Sequence, residues 1–240
     1  MFDSHKKIEK NVFILITLTI IVTSIGAIME IFPLFKQEVA IERVNGMRPY
    51  TPLELAGFEI YKREGCYGCH SQQVRALRDE VERYGHYSLA AESMYDFPFA
   101  WGSKRTGPDL ARVGGKYSDD WHISHLINPR ALVSTSIMPS YAFIYDSKLS
   151  HEDIQKYMSI YKSIGVPYSD IDIEKYYEDM LVQTSRKEDP ESVADFQKRY
   201  PKVLIHKSSG IFISEMDALV AYLQSIGTMV DLKSNQGRDW

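Results

Sequence analysis

A five-residue stretch, CYGCH at residues 66–70, limits what this chain can fold into more than any other part of the sequence. The chain has 240 residues and two cysteines, and both cysteines lie in this stretch. A disulfide between Cys66 and Cys69 would close a small, strained ring that restrains little of the unfolded chain. The sequence therefore favours another use of the two thiols.

Three other uses explain the pair to different extents. A structural zinc site takes four ligands, typically two such pairs, and the sequence has no second pair. A thioredoxin-like redox pair needs a βαβ context and gives no role to His70. A c-type haem uses all three residues, because Cys66 and Cys69 form thioether bonds to the haem vinyl groups and His70 ligates the iron. We therefore expect one covalent haem c.

Composition describes an ordinary folded chain and argues against one class of partner. Hydrophobic residues make up 44% and charged residues 25% of the sequence. The formal net charge of −4 argues against nucleic acid as a partner. The length suits one domain with extensions, or a small domain with a membrane anchor.

The anchor is predicted from an uncharged run at residues 12–29, VFILITLTIIVTSIGAIM. Extended to residues 12–35 and built at about 1.5 Å per residue, a helix here is roughly 36 Å long, which is enough to cross a bilayer core of about 30 Å. A cleaved signal peptide is the alternative, but its apolar core is normally shorter. We expect a retained transmembrane helix in contact with membrane lipid.

The charges that flank this run predict its orientation. Three lysines precede it: Lys6, Lys7 and Lys10. After it, basic and acidic residues are mixed: Lys36, Glu38, Glu42 and Arg43. The positive-inside rule then places the N-terminus in the cytoplasm. We expect a single-pass protein of a bacterial inner membrane with its haem domain in the periplasm.

The remainder of the chain has the patterns of a mainly α domain. Helices are predicted in the segments TPLELAGFEIYKREG, SDDWHISHLINP, SHEDIQKYMSIYKSIG and SEMDALVAYLQSIG, and at residues 170–182 and 190–200. Thr51 with Glu54, and Ser150 with Asp153, have the spacing of capping boxes. No strand pattern and no internal repeat is found. Residues 71–106, which carry no long periodic pattern, are an irregular insert rich in aromatic and charged residues.

An iron that only carries electrons needs a second axial ligand, and methionine favours the ferrous state. Met138 lies in the loop STSIMPSY, where Pro139 fixes the backbone directly after it. Met94, in the irregular insert, is the alternative. Two histidine ligands would require one of five further residues: His86, His122, His125, His151 or His206. For each of these, a surface or hydrogen-bonded side chain is the favoured interpretation.

Other residues are candidates for holding the haem. In TGPDLARVGG, the carbonyl of Pro108 can accept a hydrogen bond from the free ring nitrogen of His70, and Leu110 can pack on the ring. The alternative is that Gly107 and Pro108 only form a turn, without a role at a haem. Arg75 is a candidate donor to the haem propionates, with three basic residues as alternatives: Arg78, Lys104 and Arg105.

These segments together resemble subunit II, the monohaem c subunit, of the cbb3-type cytochrome c oxidases. The resemblance is carried by YKREGCYGCHSQ, ERYGHYSLAAESMYDFPFAWGSKRTGPDLARVGGKYSDDWHISHLINPR, SIMPSY and MDALVAYLQSIG. It covers the anchor, nearly all of residues 48–167, and residues 214–227. Residues 168–213 look longer and more charged than the family core requires.

The resemblance implies a cytochrome c-like haem domain with insertions, in which His70 and Met138 ligate the iron. It implies a complex with a catalytic haem b and copper subunit and with a dihaem cytochrome c subunit. Electrons would come from a soluble cytochrome c donor and pass to the oxygen-reducing centre. The insert around Trp101 would pack on the catalytic subunit, where Ser103 is a candidate calcium ligand.

The predicted layout has five parts: a tail at 1–11, the transmembrane helix at 12–35, a linker at 36–50, the haem domain at 51–230 with inserts at 71–106 and 168–213, and a tail at 231–240. The alternative to an oxidase subunit is a free-standing, membrane-tethered haem shuttle, which would not need the insert at 71–106. A haem enzyme such as a peroxidase is a third hypothesis, and it would need an open iron site.

Overall fold

The computed structural model describes residues 2–34, 41, 44–208 and 210–230. The end of the predicted span at Phe35, residues 36–40, 42 and 43 of the predicted linker, and the tail at 231–240 lie outside these residues. The chain divides into two units, Met1–Glu42 and Arg43–Trp240. Each is described here by itself, and the layout of five parts stays a prediction.

The first unit contains two helices, α1 (Phe2–Glu9) and α2 (Val12–Leu34). Asn11 caps the second, because its side-chain oxygen accepts hydrogen bonds from the backbone N–H groups of Phe13 and Ile14 at 3.1 and 3.2 Å. Within α2, Val12–Pro33 has a mean hydropathy of 2.6 and is long and apolar enough to cross a membrane. An apolar helix at residues 12–35 was predicted and is confirmed as far as Leu34, whereas α1 was not predicted.

The second unit is mainly helical, as predicted. It begins with α3 (Pro52–Arg63) and ends with α12 (Glu215–Ser225). Between them the described residues form α4 (Arg78–Tyr84), α5 (Asp119–Ile127), α6 (Pro129–Leu132), α7 (Phe143–Asp146), α8 (His151–Ser163), α9 (Asp170–Glu174), α10 (Tyr176–Gln183) and α11 (Pro190–Arg199). No strand forms in this described part of the chain, where Lys148 and Ser214 make an isolated bridge.

The core of this unit is built on the contact between α3 and α12. Gly57 lies so close to α12 that a Cβ atom there would be 2.0 Å from the carbonyl oxygen of Ala218. This approach brings the rings of Phe58 and Tyr61 to 5.3 Å from the ring of Tyr222. All three aromatic side chains are fully buried, and burial of each such side chain stabilises the fold by about 2 kcal/mol.

The predicted caps are present at the start of α3 but not at the start of α8. Thr51 and Glu54 form a capping box, and Pro52 takes the first helical position. At α8, Ser150 makes no cap hydrogen bond to the backbone. Its hydroxyl instead donates to the carboxylate of Asp153 at 3.2 Å, so the prediction of a capping box there is wrong.

Residues 168–213 pack into the same unit as the haem motif. The predicted helix at 170–182 is two helices, α9 and α10, because Lys175 between them has ψ near 7°. Met180 of α10 is fully buried in the main core. The hydroxyl of Tyr168 donates to the backbone carbonyl of Tyr50 at 2.7 Å. This segment therefore contributes to the core that supports α3.

The insert at 71–106 contains α4 and a short 3-10 turn at Ala90–Ser93. Sequence patterns missed α4, because its sequence RDEVERY has no apolar stripe. The backbone of the insert returns to the haem motif, where the N–H of Gln72 donates to the carbonyl of Trp101 at 2.6 Å. The ring of Trp101 stacks on Phe99 at 4.4 Å and donates to Ser93.

Candidate haem site

The CYGCH motif forms one 3-10 turn, Cys66–Gly68, directly after α3. Gly65 adopts a left-handed conformation with φ of 69°, which a residue with a side chain rarely takes and which redirects the chain out of the helix. The N–H groups of Cys69 and His70 both donate to the carbonyl of Cys66, at 3.2 and 2.9 Å. The turn therefore holds the two thiols and the imidazole in one fixed arrangement.

The two cysteines of the motif differ in exposure: Cys66 is half-buried and Cys69 is exposed. Burial raises the pKa of the Cys66 thiol to about 12, and the negative charge of Glu64 makes a smaller contribution in the same direction. Metal ligation and redox exchange both use a thiolate, whose formation is favoured by a lowered pKa. The surroundings of Cys66 raise the pKa of its thiol, so they do not favour either of these uses.

The imidazole of His70 is oriented by a backbone carbonyl. Its Nδ1 donates to the carbonyl oxygen of Pro108 at 2.8 Å, which is the contact expected from the sequence. This bond leaves Nε2 as the ring nitrogen available to a metal. A role for this bond in orienting a haem ligand stays a prediction.

Gly107 provides the space in which the His70 ring lies. A Cβ atom at this position would be 2.2 Å from Cε1 of His70, so no other residue fits without moving the ring. The N–H of Gly107 also donates to the carbonyl of Cys69 at 3.0 Å. The motif and the Gly-Pro segment thus form a cradle for a histidine ligand, and these residues fit a haem held by CYGCH.

The loop that carries Met138 is joined to the end of α5. The N–H of Tyr141 donates to the backbone carbonyl of Leu126 at 2.8 Å. The hydroxyl of Ser140 donates to the backbone carbonyl of Ile127 at 2.6 Å. Met138 is half-buried and packs against the core cluster that Cys66 also contacts. Leu110 packs against this cluster too. Their roles as axial ligand and as ring contact stay predictions.

Two further residues lie close to the motif: Tyr141, which the sequence did not indicate, and His125, which was considered only as an alternative iron ligand. Burial raises the pKa of Tyr141, and the nearby Cys66 and Cys69 add to this effect. Burial lowers the pKa of His125, and the charge of the nearby His70 adds to it. The position of Tyr141, three residues after Met138, is the signal that could have indicated it.

The histidines of α5 are not simple surface residues. His122 is only 4% exposed, and its Nε2 has no hydrogen-bond partner in the described part of the chain. The prediction of a surface or hydrogen-bonded side chain is therefore wrong for Nε2 of His122, because α5 places this side chain in the interior of the unit. Burial lowers the pKa of His122 to about 4, so its ring is neutral at neutral pH.

The basic residues considered for the haem propionates are mostly paired already. Arg75 and Arg105 both bind the buried carboxylate of Glu80, and the Arg105 contact is 2.7 Å long. Arg78 pairs with Glu82 at 2.7 Å. Arg75 would therefore meet a propionate while bound to Glu80, and its role stays a prediction.

Ser103 follows a backbone segment that touches the motif. Gly102 has φ of 64°, and a Cβ atom there would be 2.4 Å from the carbonyl oxygen of Tyr67. Ser103 itself is exposed. Its role as a calcium ligand stays a prediction.

Comparison with known proteins decides the family. Residues 5–230 match the model of the family described as cytochrome c oxidase, mono-heme subunit/FixO. The chain belongs to this family. The match confirms the resemblance to subunit II of cbb3-type oxidases that the sequence motifs indicated, and it implies one haem and assembly with other oxidase subunits. Together with the apolar helix α2, it indicates a membrane-anchored protein. No curated protein matches the chain.

Proposed function

We propose that this oxidase subunit carries one covalent haem c and relays electrons from c-type cytochromes toward the haem–copper centre that reduces oxygen. Cys66 and Cys69 would form the thioethers, and His70 and Met138 would ligate the iron. The haem would supply the one-electron chemistry. The observation that carries the proposal is the His70 cradle, in which Nδ1 is bonded to Pro108 and the ring lies against Gly107.

The protein's own contribution is to hold the site rigid. The turn at Cys66–Gly68 presents the thiols and the imidazole together, and the Met138 loop is fixed to α5 by two hydrogen bonds. An iron with a ligand on each face changes little on oxidation and resists reaction with small molecules. This arrangement suits electron transfer and does not suit a peroxidase.

The same proposal includes the partners and the membrane topology. The chain would contact a catalytic haem b and copper subunit, a dihaem cytochrome c subunit and a soluble cytochrome c donor. Lysines in and after α1 support a cytoplasmic N-terminus and a periplasmic haem domain in a bacterial inner membrane. The contact between Gly102 and the motif supports a role for the insert near the haem, with Ser103 as the candidate calcium ligand.

Purification of the full chain in mild detergent tests the proposal. We expect its mass to exceed that of the polypeptide by one haem, its pyridine haemochrome spectrum to be of the c type, and haem b and copper to co-purify. Thiols at Cys66 and Cys69 that react freely with an alkylating agent would refute covalent attachment. A haem-bearing chain that purifies alone, without haem b or copper, would favour the membrane-tethered shuttle.

A further inference from the structure

A buried carboxylate lies directly after Pro108 and joins the two backbone segments of the His70 cradle. The side chain of Asp109 is fully buried. Its Oδ2 accepts hydrogen bonds from the hydroxyl of Ser71 at 2.6 Å and from the N–H of Gln73 at 2.8 Å. Its Oδ1 accepts from the N–H of Ala111 at 2.8 Å. These bonds tie one carboxylate to residues on both sides of the cradle.

The backbone repeats the same connection. The N–H of Gly107 donates to the carbonyl of Cys69 at 3.0 Å, and the N–H of Leu110 donates to the carbonyl of Ser71 at 2.8 Å. We call the two segments, 69–73 and 107–111, the clamp. Because Pro108 lies between Gly107 and Asp109, the clamp fixes where its carbonyl oxygen stands relative to His70.

The clamp is braced from outside. Nε of Arg105 donates to the hydroxyl oxygen of Ser71 at 2.8 Å, and Nη2 of Arg105 binds Glu80 at 2.7 Å. Ser71 therefore accepts from Arg105 while it donates to Asp109. A hydroxyl with both roles filled has one orientation, which makes the geometry of the clamp specific.

We propose that Asp109 is a positioning residue, which holds the Pro108 carbonyl against Nδ1 of His70 and thereby sets the redox potential of the haem iron. This rests on the proposed function, because it needs a haem ligated by His70. A hydrogen bond at Nδ1 fixes the ring and makes the imidazole a stronger donor to iron. A stronger donor favours ferric iron, so loosening the clamp raises the midpoint potential. Within the described part of the chain, every hydrogen bond that Asp109 accepts comes from a residue within three positions of His70 or Pro108.

The test measures the midpoint potential and the electron paramagnetic resonance spectrum of the ferric haem in the full, haem-bearing chain. Asp109→Asn keeps the shape but turns an amide N–H₂ toward backbone or hydroxyl donors. Ser71→Ala deletes one donor to Asp109 without changing the charge. We expect both variants to have a raised potential and a broadened spectrum, with the larger change in Asp109→Asn.

Asp79→Asn is the matched control, because it removes the same charge from an exposed side chain that makes no ion pair in the described part of the chain. We expect it to keep the wild-type potential and spectrum. A raised potential in Asp109→Asn with wild-type values in Ser71→Ala would show a charge effect alone and overturn the proposal. If Asp109→Asn does not accumulate, wild-type values in Ser71→Ala overturn it as well. A wild-type chain without covalent haem would refute the proposed function itself.

Discussion

Gln183 accepts a hydrogen bond of 2.6 Å from the hydroxyl of Thr51, although the two residues are far apart in the sequence. Both side chains are fully buried. Thr51 is the N-cap of α3, the helix that ends at the CYGCH turn, and Gln183 is the last residue of α10. The charged segment at 168–213 is thus joined to the helix that positions the haem motif.

Replacement of Gln183 by alanine should destabilise the second unit by about 3 kcal/mol. The change leaves the buried Thr51 hydroxyl without an acceptor and opens a cavity. Denaturant unfolding of the full chain in detergent measures the loss. Gln197→Ala, at an exposed position of α11, should change the free energy of unfolding by less than about 0.5 kcal/mol. Equal losses in the two variants would contradict this account of Gln183.

Replacement of Met138 by alanine should lower the midpoint potential of the haem and open a coordination position that binds carbon monoxide. A thioether ligand stabilises ferrous iron, so its loss favours the ferric state. Redox titration and absorption spectra measure both effects. Met94→Ala is the control, because Met94 is the alternative ligand. If Met94→Ala shows the effects and Met138→Ala does not, the assignment of the axial ligand is reversed.

Replacement of Gly107 by alanine should abolish or strongly reduce haem incorporation. The new Cβ atom would lie 2.2 Å from Cε1 of His70, and the ring would have to leave the position in which it bonds Pro108. Haem staining of the chain after electrophoresis measures incorporation. Gly68→Ala, where no atom beyond the neighbouring residues of the described chain lies within 4 Å of the new Cβ, should incorporate haem normally. Normal incorporation in Gly107→Ala would mean that His70 does not ligate iron in this position.

Asp96 should make the stability of the second unit depend on pH. Its carboxylate accepts a hydrogen bond of 2.7 Å from the hydroxyl of Tyr50, yet burial raises the pKa of Asp96 from 3.8 to about 6. Because the folded pKa is the higher one, the stability that this group contributes is full below the unfolded pKa and is lost as the pH rises through about 6.

The comparison with Asp96→Asn isolates this contribution, because the amide still accepts from Tyr50 but does not titrate. Relative to that variant, the wild-type chain should lose about 2 kcal/mol of unfolding free energy between about pH 4 and pH 7. Thermal unfolding at several pH values measures the difference. Asp120→Asn, at an exposed position of α5, should show no such trend. A difference between wild type and Asp96→Asn that stays constant with pH would contradict the prediction.

Local patterns in the sequence predicted most helices and the position of the haem motif. A cap such as Thr51, and a helical pattern such as SEMDALVAYLQSIG, act within a few residues, so they can be recognised without a structure. The hydrogen bond between His70 and Pro108 was also expected, because a ligating histidine commonly donates its other ring nitrogen to a backbone carbonyl.

Contacts between distant segments were not predictable in the same way. The link between Thr51 and Gln183, and the role of Asp109 in the clamp, depend on how separate parts of the chain pack. Helix α4 was missed because its surface is polar on nearly all sides. The break at Lys175 was missed because nothing in its sequence neighbourhood interrupts the helical pattern.

The backbone contact between Gly57 and Ala218 has a consequence for how the protein is made. Helix α3 leaves the ribosome early, but its packing partner α12 follows only after most of the chain has been synthesised. Until then the turn at Cys66–Gly68 follows a helix whose packing partner has not yet been synthesised. The core that supports this turn therefore cannot form until almost the whole chain has been synthesised.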